Sequence, residues 1–179
     1  FTIWLVRLVR IERQHNKRQN DRVGKALDMS NNLSFPAVLL RADEFLALGS
    51  LRPHEELRRR GDYVDEMAKL AEDSMMYVFF SHQWTANNEP DHTTAQYKVM
   101  VAALHKIMHE YGWERDHVRV WVDYASTPQA NRDTKRLALN SFVSYAACSS
   151  AFVTIAPPVM HKERKTQCDL STYDKRVWC

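Results

Sequence analysis

The stretch that decides the fold is Met75-Met76-Tyr77-Val78-Phe79-Phe80-Ser81-His82-Gln83-Trp84. Its first part is apolar and aromatic without a break, and it ends at four side chains that form hydrogen bonds. A short continuous apolar run is typical of a strand buried on both faces, as in a parallel sheet covered by helices. Ligands of open α/β sheets bind just beyond the carboxyl ends of such strands. We therefore expect Ser81, His82, Gln83 and Trp84 to lie where a site would form.

Predicted strands and helices alternate through the rest of the chain. Apolar runs at 118–124 and 151–156 predict two more strands. Helical spacing of apolar residues at 93–111 and 133–147 predicts a helix before each of them. This order predicts an α/β fold, with a parallel sheet of at least three strands flanked by helices.

Polar side chains also follow the second predicted strand, at Asp123, Ser126 and Gln129. Together with residues 81–84 they could line a ligand pocket in which Trp84 is a stacking wall. The alternative is that they cap the loops, because Ser and Asp side chains bond to backbone groups at turns. The sequence leaves both interpretations open.

The sequence of residues 1–50 predicts a basic helical extension and a linker. The first 25 residues hold seven Arg and Lys side chains against two acidic ones. We predict a helix there that contacts a protein partner or an anionic membrane surface. An ordinary amphipathic helix packed on the domain and the remnant of a cleaved presequence are the alternatives. The candidate contact residues are Trp4, Arg7, Arg10 and Arg13.

Further helices are predicted between the extension and the first strand. The polar segment 28–36 indicates a linker, and the mostly apolar segment 37–48 predicts a short helix. Helical spacing resumes over 63–71, after a break at Gly61.

Composition excludes several classes of protein. With only 4 Gly residues, the chain has no glycine-rich phosphate loop. Its 3 Cys residues form no CxxC pair, which argues against a disulfide framework and favours a reducing compartment. A net charge of +3 makes nucleic acid an improbable partner.

We expect the sequence to be a piece of a longer protein, since it begins at Phe1 and ends in an apolar aromatic stretch.

Four motifs occur in an informative order. They are the segments 77–84, 120–129, 151–156 and 173–179, the last of which contains Trp178-Cys179. The set resembles the TIR-like superfamily, nearest to the fungal heterokaryon-incompatibility (HET) type and to uncharacterised TIR-like proteins of algae and other protists. The resemblance covers about residues 75–179, and we take 51–179 as the TIR/HET-like domain, truncated at its C-terminus.

The resemblance implies a flavodoxin-like α/β fold and one of two roles, NAD hydrolysis or scaffolding. It adds Trp178 to the candidate pocket residues. In NAD-cleaving members an essential Glu follows shortly after the Trp-Cys pair, and this sequence ends at Cys179. We therefore expect no catalytic residue and no required cofactor, and a binding or assembly module that joins other protein subunits. The alternative is a fragment of an NAD-hydrolysing or nucleotide-signalling enzyme, with NAD or another nucleotide as its ligand.

Overall fold

The computed structural model describes residues 7–9, 33–61, 63–66 and 75–175. The strands of this part, in chain order, are β1 (Arg7–Val9), β2 (Val38–Arg41), β3 (Tyr63–Glu66), β4 (Met76–His82), β5 (Val118–Val122), β6 (Ala151–Ile155), β7 (Val159–Met160) and β8 (Gln167–Cys168). The helices are α1 (Ala42–Ala47), α2 (His54–Arg60), α3 (Ala95–Tyr111), α4 (Asp123–Ser126), α5 (Arg132–Asn140), α6 (Phe142–Ala147) and α7 (Leu170–Asp174).

Six strands form one sheet in the order β1-β6-β4-β5-β2-β3. The central strand β4 pairs in parallel with β5 on one side and with β6 on the other. The outer strands β1, β2 and β3 pair antiparallel with their neighbours. The first strand of the parallel trio thus lies between the second and the third, as in flavodoxin-like folds. The predicted α/β fold with a parallel sheet is confirmed.

An aromatic ladder crosses the three parallel strands on one face of the sheet. The register places Phe79 opposite both Trp121 and Phe152. The Phe79 ring stacks on both, with centroid distances of 4.3 Å and 5.2 Å, and Phe142 of α6 contacts Phe79 edge-on at 5.1 Å. Stacked and edge-to-face rings contribute beyond the area they bury. Contacts between aromatic rings therefore form the core of this face of the sheet.

The opposite face of the sheet packs against α1 and α3. Tyr97, at the start of α3, donates a hydrogen bond from its hydroxyl to the Phe45 carbonyl at 2.8 Å and accepts one from Gly49 N–H at 3.1 Å. Phe45 in turn stacks on Phe80 of β4 at 5.8 Å. Helix α3 ends at Gly112, whose φ of +63° allows the left-handed cap that a side chain would disfavour.

The predicted helix over 133–147 is divided in two. Helix α5 begins after Asn131, whose side chain accepts hydrogen bonds from the N–H groups of Asp133 and Thr134. It ends at Ser141, whose hydroxyl donates to the Leu137 carbonyl at 3.2 Å. A serine hydroxyl that bonds to a carbonyl of the preceding turn competes with the backbone hydrogen bonds of the helix. Helix α5 therefore ends here, and α6 begins as a separate helix. No helix in the described part of the chain is long and apolar enough to cross a membrane.

Two predicted helices are wrong where the structure describes them, and the one predicted over 37–48 is correct only for Ala42–Ala47. Residues 7–9 form strand β1, the segment 37–48 begins with strand β2 before α1, and residues 63–66 form strand β3. These strands are only three or four residues long and are stabilised by pairing with a neighbouring strand, which local periodicity does not record. Although β1 and β2 precede residue 51, they belong to the same sheet as the rest.

Candidate functional site

The carboxyl ends of β4 and β5 meet at a buried hydrogen-bond network. His82, the last residue of β4, bonds through Nε2 to Asp123 Oδ1 at 2.8 Å and through Nδ1 to Gln96 Oε1 at 2.7 Å. Trp84 Nε1 donates to the other carboxylate oxygen of Asp123 at 2.8 Å. The His82 side chain is only 1% exposed, so these bonds replace water as its hydrogen-bonding environment.

Gln96 determines the protonation of His82. Its amide nitrogen donates to the Gln83 carbonyl at 2.8 Å and to the Pro90 carbonyl at 3.3 Å, so its amide oxygen faces His82 Nδ1. An amide oxygen can only accept, and a carboxylate oxygen can only accept. Both ring nitrogens of His82 therefore donate, which makes the ring an imidazolium. Burial lowers the pKa of His82, but the charge of Asp123 and the hydrogen bonds that the ring donates to Asp123 and to the Gln96 amide oxygen outweigh burial and raise it.

Asp123 is the matching anion. Besides His82 and Trp84, it accepts a hydrogen bond from Tyr124 N–H at 2.6 Å. Burial raises the pKa of Asp123, but the charge and hydrogen bond of His82 and the donors Trp84 and Tyr124 lower it further than burial raises it. The Asp123 side chain is 27% exposed, so it is less completely buried than that of His82.

The stability of the fold should depend on pH through this pair. The pKa of His82 is raised above 6.5, so its contribution is complete below pH 6.5 and is lost as pH rises through the folded-state pKa. The pKa of Asp123 is lowered from 3.8, so its contribution is complete above pH 3.8 and is lost as pH falls through the folded-state pKa. Between these values the pair stabilises fully.

We therefore expect the difference in unfolding free energy between the natural chain and Asp123→Asn to be largest between pH 3.8 and pH 6.5. It should shrink on both sides of that window. Urea unfolding at a series of pH values measures the difference. A difference that stays constant across the series would show that the pair is not charged in the folded state.

Helix α7 covers the other side of the β4 strand end. Ser81 Oγ shares a hydrogen bond of 2.6 Å with the Tyr173 hydroxyl, and Gln83 Nε2 donates to Thr172 Oγ1 at 2.9 Å. Thr172 also completes a capping box with Asp169, which fixes the start of α7. Ser81 pairs with Thr154 of β6, and the strand order reverses between β4 and β6, where ligands of flavodoxin-like folds bind. The side chains of Ser81 and Gln83 are thus bonded to the helix.

The loop after α4 is tied to α2 by Glu55. One carboxylate oxygen of Glu55 accepts hydrogen bonds of 2.7 Å from the N–H groups of both Gln129 and Ala130. Burial raises the pKa of Glu55, but the hydrogen bonds from Ala130, Gln129 and its own backbone together lower it. Gln129 Nε2 donates to the Thr127 carbonyl at 2.7 Å, and Ser126 Oγ accepts from Val122 N–H at 3.4 Å. Ser126 and Gln129 therefore hold the turn itself.

Trp84 is enclosed by two neighbours at the outer edge of the network. Lys135 Nζ lies 5.3 Å from the centre of the Trp84 ring and donates to Gln129 Oε1 at 2.8 Å. Tyr124 contacts Trp84 edge-on, with ring centres 5.6 Å apart. A cation over the indole face is attracted by the ring quadrupole. Trp84, which we predicted to be the stacking wall of a ligand pocket, is thus already in contact with Lys135 and Tyr124 of this chain.

The structure brings most of the predicted site residues to one edge of the sheet. Residues 81–84, Asp123, Ser126 and Gln129 lie together, and each of their side chains forms at least one hydrogen bond with a neighbour. Trp178 lies outside the described residues, as do Trp4, Arg10 and Arg13. Arg7 belongs to β1.

Sequence reasoning missed Gln96, Tyr173, Lys135 and Glu55. Gln96 had a signal: it occupies the apolar stripe of α3, four residues before Met100, where a polar side chain must find a buried partner. Tyr173, Lys135 and Glu55 carry no such signal, because only the tertiary fold brings them to the strand ends. Within the described ranges, no group of three or more His, Cys, Asp and Glu side chains could hold a metal ion.

Comparison with protein-family models, with curated proteins and with solved structures gave no match to this chain.

Proposed function

We propose that this chain is a TIR-like module that works without catalysis, as a binding or assembly subunit of a larger complex. The observation that carries the proposal is the closed network at the strand ends. A general base must reach a substrate proton within hydrogen-bond distance. Here both oxygens of Asp123 already accept hydrogen bonds, from His82 and Trp84, and both nitrogens of His82 already donate.

The strand order supports the family part of the proposal. It is the flavodoxin-like order that the resemblance implies, and it brings Asp123 beside the Ser81 to Trp84 motif. The motif residues then have a structural role that needs no substrate. His82, Asp123 and Trp84 hold the ends of two neighbouring parallel strands together, and Ser81 and Gln83 hold α7.

Cleavage of NAD or a related nucleotide is the second candidate function. One observation favours it: Ser81 pairs with Thr154 of β6, and the strand order reverses between β4 and β6. A nucleotide could bind there only by displacing the bonds to Tyr173 and Thr172. The first proposal needs no such rearrangement.

Two measurements on the full chain test the proposal. The purified chain is incubated with NAD, and release of nicotinamide is followed by chromatography. The tagged chain is also produced in its native cells, and its apparent mass is measured by gel filtration of the extract. We expect no nicotinamide above the level of a protein-free control. We expect elution well above the 21.0 kDa of the single chain.

The outcomes separate the two functions. Nicotinamide release that disappears in Asp123→Asn would overturn the first proposal in favour of the second. Elution as a single chain, from extracts prepared at low salt, would contradict the assembly role. Asp133→Asn, which changes a carboxylate that is 86% exposed on α5, is the matched control for the loss of one charge.

A further inference from the structure

Helix α5 presents one face on which basic side chains are followed by an apolar one. Arg132, Lys135, Arg136 and Leu139 are spaced three or four residues apart, so they share a face of the helix. Together with Asp133 they line an open groove of about 460 Å³. Val143 of α6 comes four residues after Leu139. We call Arg132, Lys135, Arg136, Leu139 and Val143 the α5 stripe.

The stripe carries uncompensated positive charge. Asp133 is the one acidic residue among those that line the groove. It lies 3.9 Å from Arg136, and both side chains are largely exposed, so this ion pair is weak. Arg132 makes no ion pair with any residue of the described ranges, and Lys135 contacts Gln129 and Trp84 instead of an acid. Two guanidinium groups are therefore available to an anionic partner.

The apolar end of the stripe is equally unusual. In the described part of the chain, the exposed large hydrophobic side chains are Leu137, Leu139, Val143 and Met160. Three of these four lie on α5 and α6, and Val143 is 75% exposed. Single exposed apolar residues need no explanation, but Leu139 and Val143 follow the basic residues of α5 closely in sequence, and apolar side chains rimmed by polar ones are typical of a protein interaction site.

We propose that the α5 stripe docks a segment of a partner protein in which acidic side chains are followed by aliphatic ones at helical spacing. Arg132 and Arg136 would pair with the carboxylates, since guanidinium groups bind carboxylates through two parallel hydrogen bonds. Leu139 and Val143 would pack on the aliphatic part. This inference rests on the proposed binding role, because it names the surface through which that role would be carried out.

Two other occupants fit the stripe less well. A free phosphate or nucleotide phosphate would use the two arginines but leave Leu139 and Val143 exposed. An anionic membrane would need a broad apolar face rich in aromatic and leucine side chains. The apolar residues here are few and aliphatic, and they lie at one end of the stripe instead of along it. A partner segment with both features in the same order accounts for the whole stripe.

The test uses synthetic helical peptides labelled with fluorescein. One peptide carries Glu in two successive turns followed by Leu, and two matched peptides carry Gln or Lys in place of Glu. Binding to the full chain is measured by fluorescence anisotropy. We expect the Glu peptide to bind at least about 10-fold more tightly than the Gln peptide, with affinity that falls as salt is added. Val143→Ser should weaken it several-fold.

Charge reversal provides the decisive variant. The double change Arg132→Glu and Arg136→Glu should abolish preference for the Glu peptide and create preference for the Lys peptide. Lys135 is left unchanged because it supports Gln129 and Trp84. The matched control is Lys98→Glu with Lys106→Glu, which reverses two exposed charges on α3 and should leave binding unaltered. Circular dichroism and urea unfolding check that each variant folds.

Several outcomes would overturn the proposal. Equal binding of the Glu and Gln peptides would do so. A second such outcome is that the Glu peptide does not bind, while pyrophosphate or vesicles containing phosphatidylserine do bind and lose that binding on charge reversal. If the Glu peptide does not bind but the chain still elutes in a large complex, the α5 stripe is rejected as the docking surface, and the assembly role is retained. Peptide binding by a chain that cleaves NAD would reject the non-catalytic role and leave the stripe standing.

Discussion

We expect Asp123→Ala to lower the free energy of unfolding by about 3 kcal/mol. The change removes the acceptor of both His82 Nε2 and Trp84 Nε1. It leaves a charged imidazolium in a site where only 1% of the side chain is exposed, or forces it to lose its proton. Breaking a buried ion pair from one side costs about 3–5 kcal/mol. Because Asp123 is itself 27% exposed, the lower end of that range applies.

Urea unfolding at pH 6, inside the window where the pair is fully charged, measures this loss. Asp133→Ala is the control: it removes an 86% exposed carboxylate and should change stability by no more than about 0.5 kcal/mol. Asp123→Asn should lie between the two, since an amide oxygen still accepts from Trp84. If Asp123→Ala were no more destabilising than Asp133→Ala, the network would not hold the strand ends.

We expect Phe79→Ala to lower the free energy of unfolding by about 4 kcal/mol, the usual cost of removing a fully buried phenylalanine. Phe79 is completely buried and is the middle ring of the aromatic ladder, in contact with Trp121, Phe152 and Phe142. Its removal leaves a cavity between three strands whose backbones are fixed by pairing. The surrounding rings therefore cannot collapse into the space.

Phe79→Leu keeps most of the volume and should cost only about 1.5 kcal/mol. Val143→Ala, at a side chain that is 75% exposed, is the matched control and should have almost no effect on stability. Thermal and urea unfolding both measure these differences. A loss for Phe79→Ala comparable to that of Val143→Ala would mean that the ladder does not form the core of this face.

The parallel centre of the sheet could be predicted because its strands are buried on both faces. The run from Tyr77 to Phe80 has to be apolar at every position, since successive side chains enter opposite cores. The outer strands could not be predicted in the same way. Val38, Leu39 and Leu40 are followed at once by helix α1, so their apolar pattern merges with that of the helix. Pairing with β3 on one side and β5 on the other makes this segment a strand.

The candidate site could be predicted in position but not in chemistry. Residues at the carboxyl ends of parallel strands must meet, and His82, Trp84 and Asp123 do so. The sequence could not tell that Gln96 would reach His82 from α3, or that Tyr173 would bond Ser81 from α7. Those contacts span 14 and 92 residues of sequence, and they decide which polar atoms remain available to a ligand.

The charge state of His82 tests the central claim most directly. We interpret the strand ends as a closed, charged network, which requires both ring nitrogens of His82 to carry protons below pH 6.5. Nuclear magnetic resonance of the chain labelled with ¹⁵N in histidine observes each ring nitrogen. We predict that His82 loses its second ring proton only above pH 6.5, and that Asp123→Asn lowers the pKa of the ring, because burial then disfavours the charge without the carboxylate to offset it. Loss of that proton below pH 6.5, which leaves one bare nitrogen, would contradict the network and leave a base available for catalysis.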